Sequence, residues 1–561
     1  MSRQLRVKAP WWSLLAFCLL FAPVRADVPG SNAVASAHPL ATEAGLAVLA
    51  AGGNAFDAAV AVSAALAVVE PYGSGIGGGG FWLLHRASDG HQVMVDGRET
   101  APLAATVDMY LDADGNVIPK ASIDGALAAG IPGVPAALEH IASRYGRLPL
   151  ALSLGPAIIL AEQGFPIDDA YRRMAGFRLQ ALRASPGASA QFLVDGELPP
   201  SGHLLRQPQL AGTLRRIARE GAAGFYRGEL AEQMVSGVRA AGGIWQLDDL
   251  AQYRVVEREP VVVSYRGHRI VSAALPSSGG IVLAQALHML ESRPVEALAT
   301  ASRVHVLAEM MRRAYADRAR YLGDSDHVEV PRQRLLSRSH AYAQARGIDP
   351  HRATPSQALA TPRAGGEDTT HFSILDRDGN RVAATLSVNY PFGAAFVVPG
   401  TGVLLNDEMD DFSAKPGAAN AYGLVGNAAN AIEPGKRMLS SMSPTFVEAP
   451  GRVTILGTPG GSRIISMVLL GILDAIAGYA PGDIVDRGRF HHQWLPDRIE
   501  VEPGTLDTHV IEQLRDMGHE VEVRDSRYGN MQVVQWRRFG GGVSAASDPR
   551  GIGAAAVEPA D

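Results

Sequence analysis

Residues 365–389, GGEDTTHFSILDRDGNRVAATLSVN, set two alternating runs on either side of a DG turn. Alternation with period two argues for strands, and a glycine in third loop position suits a type I turn closed by a bulge. A three-residue loop, Arg377-Asp378-Gly379, pairs Asp376 with Asn380 and, stepping back in register, sets Thr369 opposite Ser387. A two-residue loop would bring Val388 there instead; the placement of Gly379 favours the bulge. One face then carries Thr369, His371, Ser373, Ala383, Thr385 and Ser387, and the other Phe372, Ile374, Val382, Leu386 and Val388. A solvated sheet face is the plain explanation of the first set, yet such faces are usually rich in Lys and Glu rather than small hydroxyls and an imidazole.

Thr369 gains a purpose if the chain breaks before it. In mid-chain a threonine hydroxyl is a poor nucleophile that needs a neighbouring base, whereas at a chain terminus its own α-amine lies within reach and titrates near pH ~8. The Asp368-Thr369 bond sits where a polar stretch meets a strand, a place at which an adjoining side chain can attack a strained peptide. Ser387, across the hairpin, would then hold the Thr369 hydroxyl by a hydrogen bond.

The 561 residues are 47% hydrophobic and 19% charged, with a formal net charge of -6. That balance gives no reason to expect nucleic acid or an anionic membrane as partner and suits a small or zwitterionic substrate. Arg3, Arg6 and Lys8, the apolar run from Trp11 to Val24, and Val24-Arg25-Ala26 form the pattern of a secretory signal (1–26) removed after Ala26. The run is shorter than the roughly 20 residues of a spanning helix. Phe17 is too bulky to precede a lipidated cysteine, and Cys18 is the only cysteine, so the mature chain holds no disulfide, thiol nucleophile or cysteine metal site. A bacterial periplasm or the medium is the expected location.

Upstream of the hairpin, ATEAGLAVLAAGG reads as a helix stopped at Gly52-Gly53, and Ala58 to Val69 as a buried helix. FWLLH and HQVMVDGRETAP form a strand pair with Arg98 just past its end, and residues 133–342 are largely helical, broken by VVVSYRGHRIVSA. About 345–368 is polar, holds several Pro and Gly and shows no period, as an exposed linker would. Beyond the hairpin, strands are expected at TGVLLN, SPTFVEAPGRVTILG, RIEVE and EVEVRD, and a helix at ISMVLLGILDAIAG. A helix-rich first part and a strand-rich second fit either two domains or two pieces of one layered α/β core.

Gly73, Gly75 and Gly78 satisfy GxGxxG, but the run follows a helix and leads into a strand, the reverse of a nucleotide fingerprint, and reads as close backbone packing. NDEMDD lacks the alternating ligands and glycine of a calcium loop. His371 and the pair His491-His492 have no matching acids, so core or surface roles are expected of them and no metal or cofactor is.

The motifs GGNAFDAAVA, GSGIGGGGF, DGRETAP, PSSGG, DRARYLGD, DTTHFS, LLNDEMDDF, KPGAANAYGLVG, KRMLSSMSPT and GTPGGSRI span nearly all of the mature chain. Together they resemble the γ-glutamyltranspeptidases (glutathione hydrolases), N-terminal-nucleophile hydrolases made as proenzymes. The resemblance implies self-cleavage between Asp368 and Thr369 into a large subunit, 27–368, and a small one, 369–561, held in one four-layer αββα sandwich. It implies that Thr369 is the nucleophile and Ser387, where many members have threonine, the hydroxyl that orients it. Asn389, Glu408 and Asp411 resemble the residues that hold the α-amino group of the γ-glutamyl unit, with Glu408 a departure from members that have glutamine there, although glutamate also occurs. Arg98, Ser440 and Ser441 resemble the clamp on its α-carboxylate, the Gly460 and Gly461 amides the oxyanion hole, and Tyr422 the tyrosine of a lid loop. The implied substrates are glutathione and similar γ-glutamyl compounds, with water or an amino acid or peptide as acceptor.

Electrostatics agrees with this assignment, since a site that excludes water must neutralise both charges of an amino acid head group or lose roughly 3 to 5 kcal/mol for each left unpaired. Two other readings stand beside it. One is an amidase of the same family acting on another acyl group, such as the glutaryl chain of a cephalosporin; the other is an exported binding protein that never cleaves itself.

Overall fold

A computed structural model describes residues 28–356 and 369–558, apart from Pro416, Ala419, Tyr422 and Asn427. The expected signal and positions 357–368 of the expected linker lie outside that set. The strands of the hairpin, Thr370–Leu375 and Arg381–Ser387, pair Leu375 with Arg381 and Thr370 with Leu386. The Asp376 amide donates to the Asn380 carbonyl at 3.0 Å, and Gly379, at φ +93°, donates to the Asp376 carbonyl at 3.0 Å. This is the bulged three-residue loop, made possible by a glycine in the left-handed region. Asp376 also ties the turn to the adjoining layer, accepting from the Ala55 amide at 3.0 Å where the helix Ala55–Val69 begins.

That helix is capped by Asn54, whose side chain accepts from Phe56 and Asp57 amides while Asp57 accepts from the Asn54 amide at 2.9 Å. All of its residues are buried, as a helix without a polar face requires.

Among the described residues the hairpin lies inside a seven-stranded sheet that runs, edge to edge, Ala554–Glu558, Asn32–Ser36, Thr370–Leu375, Arg381–Ser387, Gly79–Arg86, His91–Asp96 and Val256–Arg258. A six-stranded sheet runs Gly542–Ser547, Gln532–Arg537, Arg452–Gly457, Thr445–Ala449, His268–Ser272 and Val261–Tyr265. Each sheet takes strands from both sides of position 368, interleaved in the first and side by side in the second, so the helix-rich and strand-rich parts build one mixed α/β core.

The period of two decides what each face meets. Val34, Trp82, Leu84, Phe372, Ile374, Val382 and Leu386 of the first sheet pack with the helices Pro39–Ala50, Ala55–Val69 and Leu150–Gln163. On the reverse face Ala33, Ala35, Leu83, Leu375 and Ala383 meet Val271, Phe446, Val453, Ile455, Val534 and Trp536 of the second sheet. The other face of the second sheet packs with Gly279–Ser292, Thr300–Tyr321 and Ile464–Ala477. The hydroxyl face of the hairpin is therefore not solvated: His371, Ser373 and Thr385 are enclosed, with His371 Nδ1 bonded to Thr385 Oγ1 at 2.8 Å and Ser373 Oγ donating to the Gln532 carbonyl at 3.1 Å. His491 and His492 are buried too, the first against Ser466 Oγ at 2.6 Å.

One expectation needs refining and another correcting. The segment from about 345 is largely exposed up to Ser356, but it is not wholly irregular or free: the helix Arg338–Arg346 includes Ala345, and Ala345, Ile348 and Ser356 are buried. Polar side chains elsewhere anchor its end, Glu309 accepting from the Thr354 amide at 3.0 Å and Asp497 from the Ser356 amide at 2.6 Å. TGVLLN is no strand, since Gly400 and Gly402 have φ of +79° and +68° and leave isolated bridges at Leu404 and Leu405. No helix among the described residues is long and apolar enough to cross a membrane.

Candidate active site

Thr369 ends the hairpin at the mouth of a small cavity of about 20 Å³ whose walls include Arg98, Ser387, Asn389, Glu408, Asp411, Ser440, Ser441 and Gly461. Residues from positions 98 to 461 thus converge, each carried by a different local device. Ser387 closes its strand and accepts the Asn389 amide at 2.7 Å, while Asn389 sits at φ +74° and donates from Nδ2 to the Asp407 carbonyl at 3.0 Å. The glycine run 77–80 lets backbone pass close behind them: a Cβ on Gly78 would stand 2.2 Å from the Ser387 carbonyl oxygen. This is the close packing expected of that run.

The short helical turn Glu408–Asp411 is aimed by Asn406, whose Oδ1 accepts the Glu408 amide at 3.0 Å and whose Nδ2 donates to the carbonyls of Gly77 and Gly130. Its two acids converge on one guanidinium. Arg98 Nη1 reaches Glu408 Oε2 at 2.5 Å and Nη2 reaches Asp411 Oδ2 at 2.5 Å, with Nε donating to the Met438 carbonyl at 3.2 Å. Arg98 is 1% exposed and Glu408 1%. Burial pushes the Glu408 carboxyl up to about 7 although Arg98 pulls it back. Neither carboxyl oxygen of the buried Glu99 finds a hydrogen-bond partner among the described residues, Arg98 Nη1 standing 4.0 Å from Oε2, and burial together with Glu408 raises its pKa well above the ordinary value.

Ser440 is fixed by backbone, its amide donating to the Pro276 carbonyl at 2.8 Å and its own carbonyl accepting from Ser278. Ser441 Oγ accepts from Arg318 Nη2 at 3.3 Å, and Arg318 Nε donates to Ser278 Oγ at 2.9 Å. Arg318 is 4% exposed, and burial lowers its pKa. Gly460 and Gly461, at φ +134° and +52°, open the helical stretch that runs into Ile464–Ala477; Gly461 lines the small cavity and Gly460 a second one that also contains Thr369.

All of the residues singled out from the sequence therefore gather at Thr369 except Tyr422 and Asp368, which lie outside the described residues. Arg318 and Glu99 are additional. Both stand inside quoted motifs, DRARYLGD and DGRETAP, but an Arg or Glu there has no local signal that separates a buried support of the site from a surface residue. The cluster thus sets two guanidinium groups, Arg98 and Arg318, against the carboxyls of Glu408 and Asp411, groups of both signs, as a pocket for a zwitterion should.

The family described as Gamma-glutamyltranspeptidase matches residues 41–558. The chain is 45% identical to the glutathione hydrolase proenzyme of Pseudomonas sp. (strain A14), covering 89% of each, and 40% identical to that of Escherichia coli (strain K12), covering 95% of this chain and 92% of the relative. Among solved structures it resembles a cephalosporin acylase from Bacillus halodurans, 29% identical, with a TM-score of 0.82 over 94% of this chain and 95% of the other.

Proposed function

The chain belongs to the γ-glutamyltranspeptidase family, and from that premise we propose how its geometry performs the reaction. Its activity is that of a glutathione hydrolase and γ-glutamyltransferase made as a proenzyme; the acylase is more distant in sequence. The observation that carries the reading is the doubly paired Arg98 beside Thr369.

A γ-glutamyl head group exchanges partners with that cluster: its α-carboxylate takes the Arg98 fork together with Ser440 and Ser441, and its ammonium takes Glu408, Asp411 and Asn389. A glutaryl group would supply only the first half. Two buried acids would then lose their cation, at a cost of several kcal/mol, which disfavours the acylase alternative.

Cleavage between Asp368 and Thr369 gives subunits 27–368 and 369–561 and frees the Thr369 α-amine. The hydroxyl, held by Ser387, attacks the γ-carbonyl while the amine takes its proton. The Gly460 and Gly461 amides stabilise the oxyanion, each such donor being worth ~10²-fold or more in rate. The amine returns the proton to the leaving nitrogen as the C–N bond breaks, leaving a γ-glutamyl ester on Thr369. Water or the amine of an amino acid or peptide then takes the acyl group. The Tyr422 loop belongs to the same reading as a cover over the pocket. The three face contacts of the sheets and helices support the αββα layer order. Export to the periplasm or medium follows from the basic start, apolar run and small-residue site of residues 1–26.

The test is turnover of glutathione by purified protein, with and without glycylglycine. Glutamate release, with γ-glutamyl transfer when acceptor is added, is the expected outcome; a processed protein inert on glutathione but active on a glutaryl amide would replace the reading with the acylase one.

A further inference from the structure

Thr369 borders two cavities, and the head-group cluster explains one of them. The second holds about 450 Å³ and is walled by Glu70, Arg173, Arg524, Arg527 and Arg550 as well as Thr369 and Gly460. A peptide of two or three residues fits that space, which lies in the ordinary range for ligand sites.

Its arginines are unequally engaged. Arg550 is held by Glu502 at 2.6 Å and Asp548 at 3.0 Å, and Arg527 donates to Asp486 Oδ1 at 2.9 Å. Arg524 stands 3.6 Å from Glu522, beyond hydrogen-bond reach. Arg173, exposed on the helix Asp169–Phe177, makes no ion pair among the described residues. The one acid in the wall, Glu70, is fully enclosed, receives the Thr370 hydroxyl at 2.5 Å and is pushed by burial up to about 8, so at neutral pH it does not cancel them.

Chemistry assigns the two spaces different halves of a substrate. An acyl carbon at Thr369 Oγ, with its chain in the small pocket beside Gly461, must expel its amine on the other side, past Gly460. We propose that the arginine-walled cavity is the subsite for the leaving and accepting amine, and that Arg173 and Arg524 make it select groups that end in a carboxylate. This rests on the γ-glutamyl reading of Thr369.

The experiment compares kcat/KM of the processed enzyme for glutathione and for its C-terminal amide, which share head group and scissile bond. The wild-type protein should favour glutathione by about tenfold, as a charge-assisted contact would give, and the preference should shrink in high salt. In Arg173→Ala/Arg524→Ala the ratio should fall to within about twofold of unity. A wild-type ratio near one, or a ratio preserved in the double variant, overturns the subsite while leaving the γ-glutamyl reading intact. A wild-type protein inert on both donors overturns the reading and the subsite together. Should the double variant fail to process, the wild-type ratio and its salt dependence still decide.

Discussion

On one side of Thr369 the free space is about 20 Å³, and every strong charge in its wall is answered by another; on the other side it is about 450 Å³, and two of its arginines, Arg173 and Arg524, are answered loosely or not at all among the described residues. The first wall is buried, so its ion pairs act in a low dielectric and a ligand must match them charge for charge. The second is partly solvated, and its attraction is softened by water and salt. A substrate is thereby read strictly at its amino acid end and permissively beyond the scissile bond. Tightness and tolerance are properties of burial as much as of residue identity.

The contrast can be broken outright at the residue both cavities share. Thr369→Ala should leave a single uncleaved chain with activity reduced by about 10⁴-fold or more, and electrophoresis with a glutathione assay reads both effects. A variant that matures and turns over normally removes the shared centre.

Arg98→Lys keeps the charge but loses the fork that joins Glu408 and Asp411. A fall of about 10²-fold in kcat/KM is expected for every γ-glutamyl donor alike, whatever its leaving group. Dependence on the leaving group would blur the division between the two sides. Arg318→Gln should act on the head-group side as well, raising KM by about tenfold with little change in kcat, because Arg318 acts through Ser441 and the charge balance.

The smallest effect concerns pH. The Glu408 carboxyl, raised to about 7, is ionised above that pH and proton-bound below it. Ammonium binding is favoured by the ionised form, so KM for the donor should rise as pH falls through about 7. Glu408→Gln, which has no proton to gain, should erase that inflection at a cost of a few-fold in KM, about 1 kcal/mol.

How much of this was legible in the sequence depended on the range of the interactions. The register that sets Thr369 toward Ser387 followed from Gly379 alone, because turn chemistry is local. The helix stop at Gly52-Gly53 was equally local. The head-group residues were found through the family motifs, yet the pairing of Arg98 with both Glu408 and Asp411 was not, since separations of 310 and 313 residues leave no pattern in the chain. The anchoring of the segment's end at Thr354 and Ser356 was not legible, because backbone amides bonded to the distant Glu309 and Asp497 leave no mark in the local sequence. The small hydroxyls and the imidazole did mark a face that is not solvated: Thr385 and His371 satisfy each other between sheets, while only Thr369 and Ser387, at the end of the same face, line the small cavity.

Intact mass spectrometry of the freshly purified, active protein weighs most directly on the claim that a released terminus does the chemistry. Two chains should be found, the smaller beginning at Thr369 and, during turnover, carrying a γ-glutamyl adduct on that residue. Full activity from one continuous chain, or an adduct elsewhere, would contradict it.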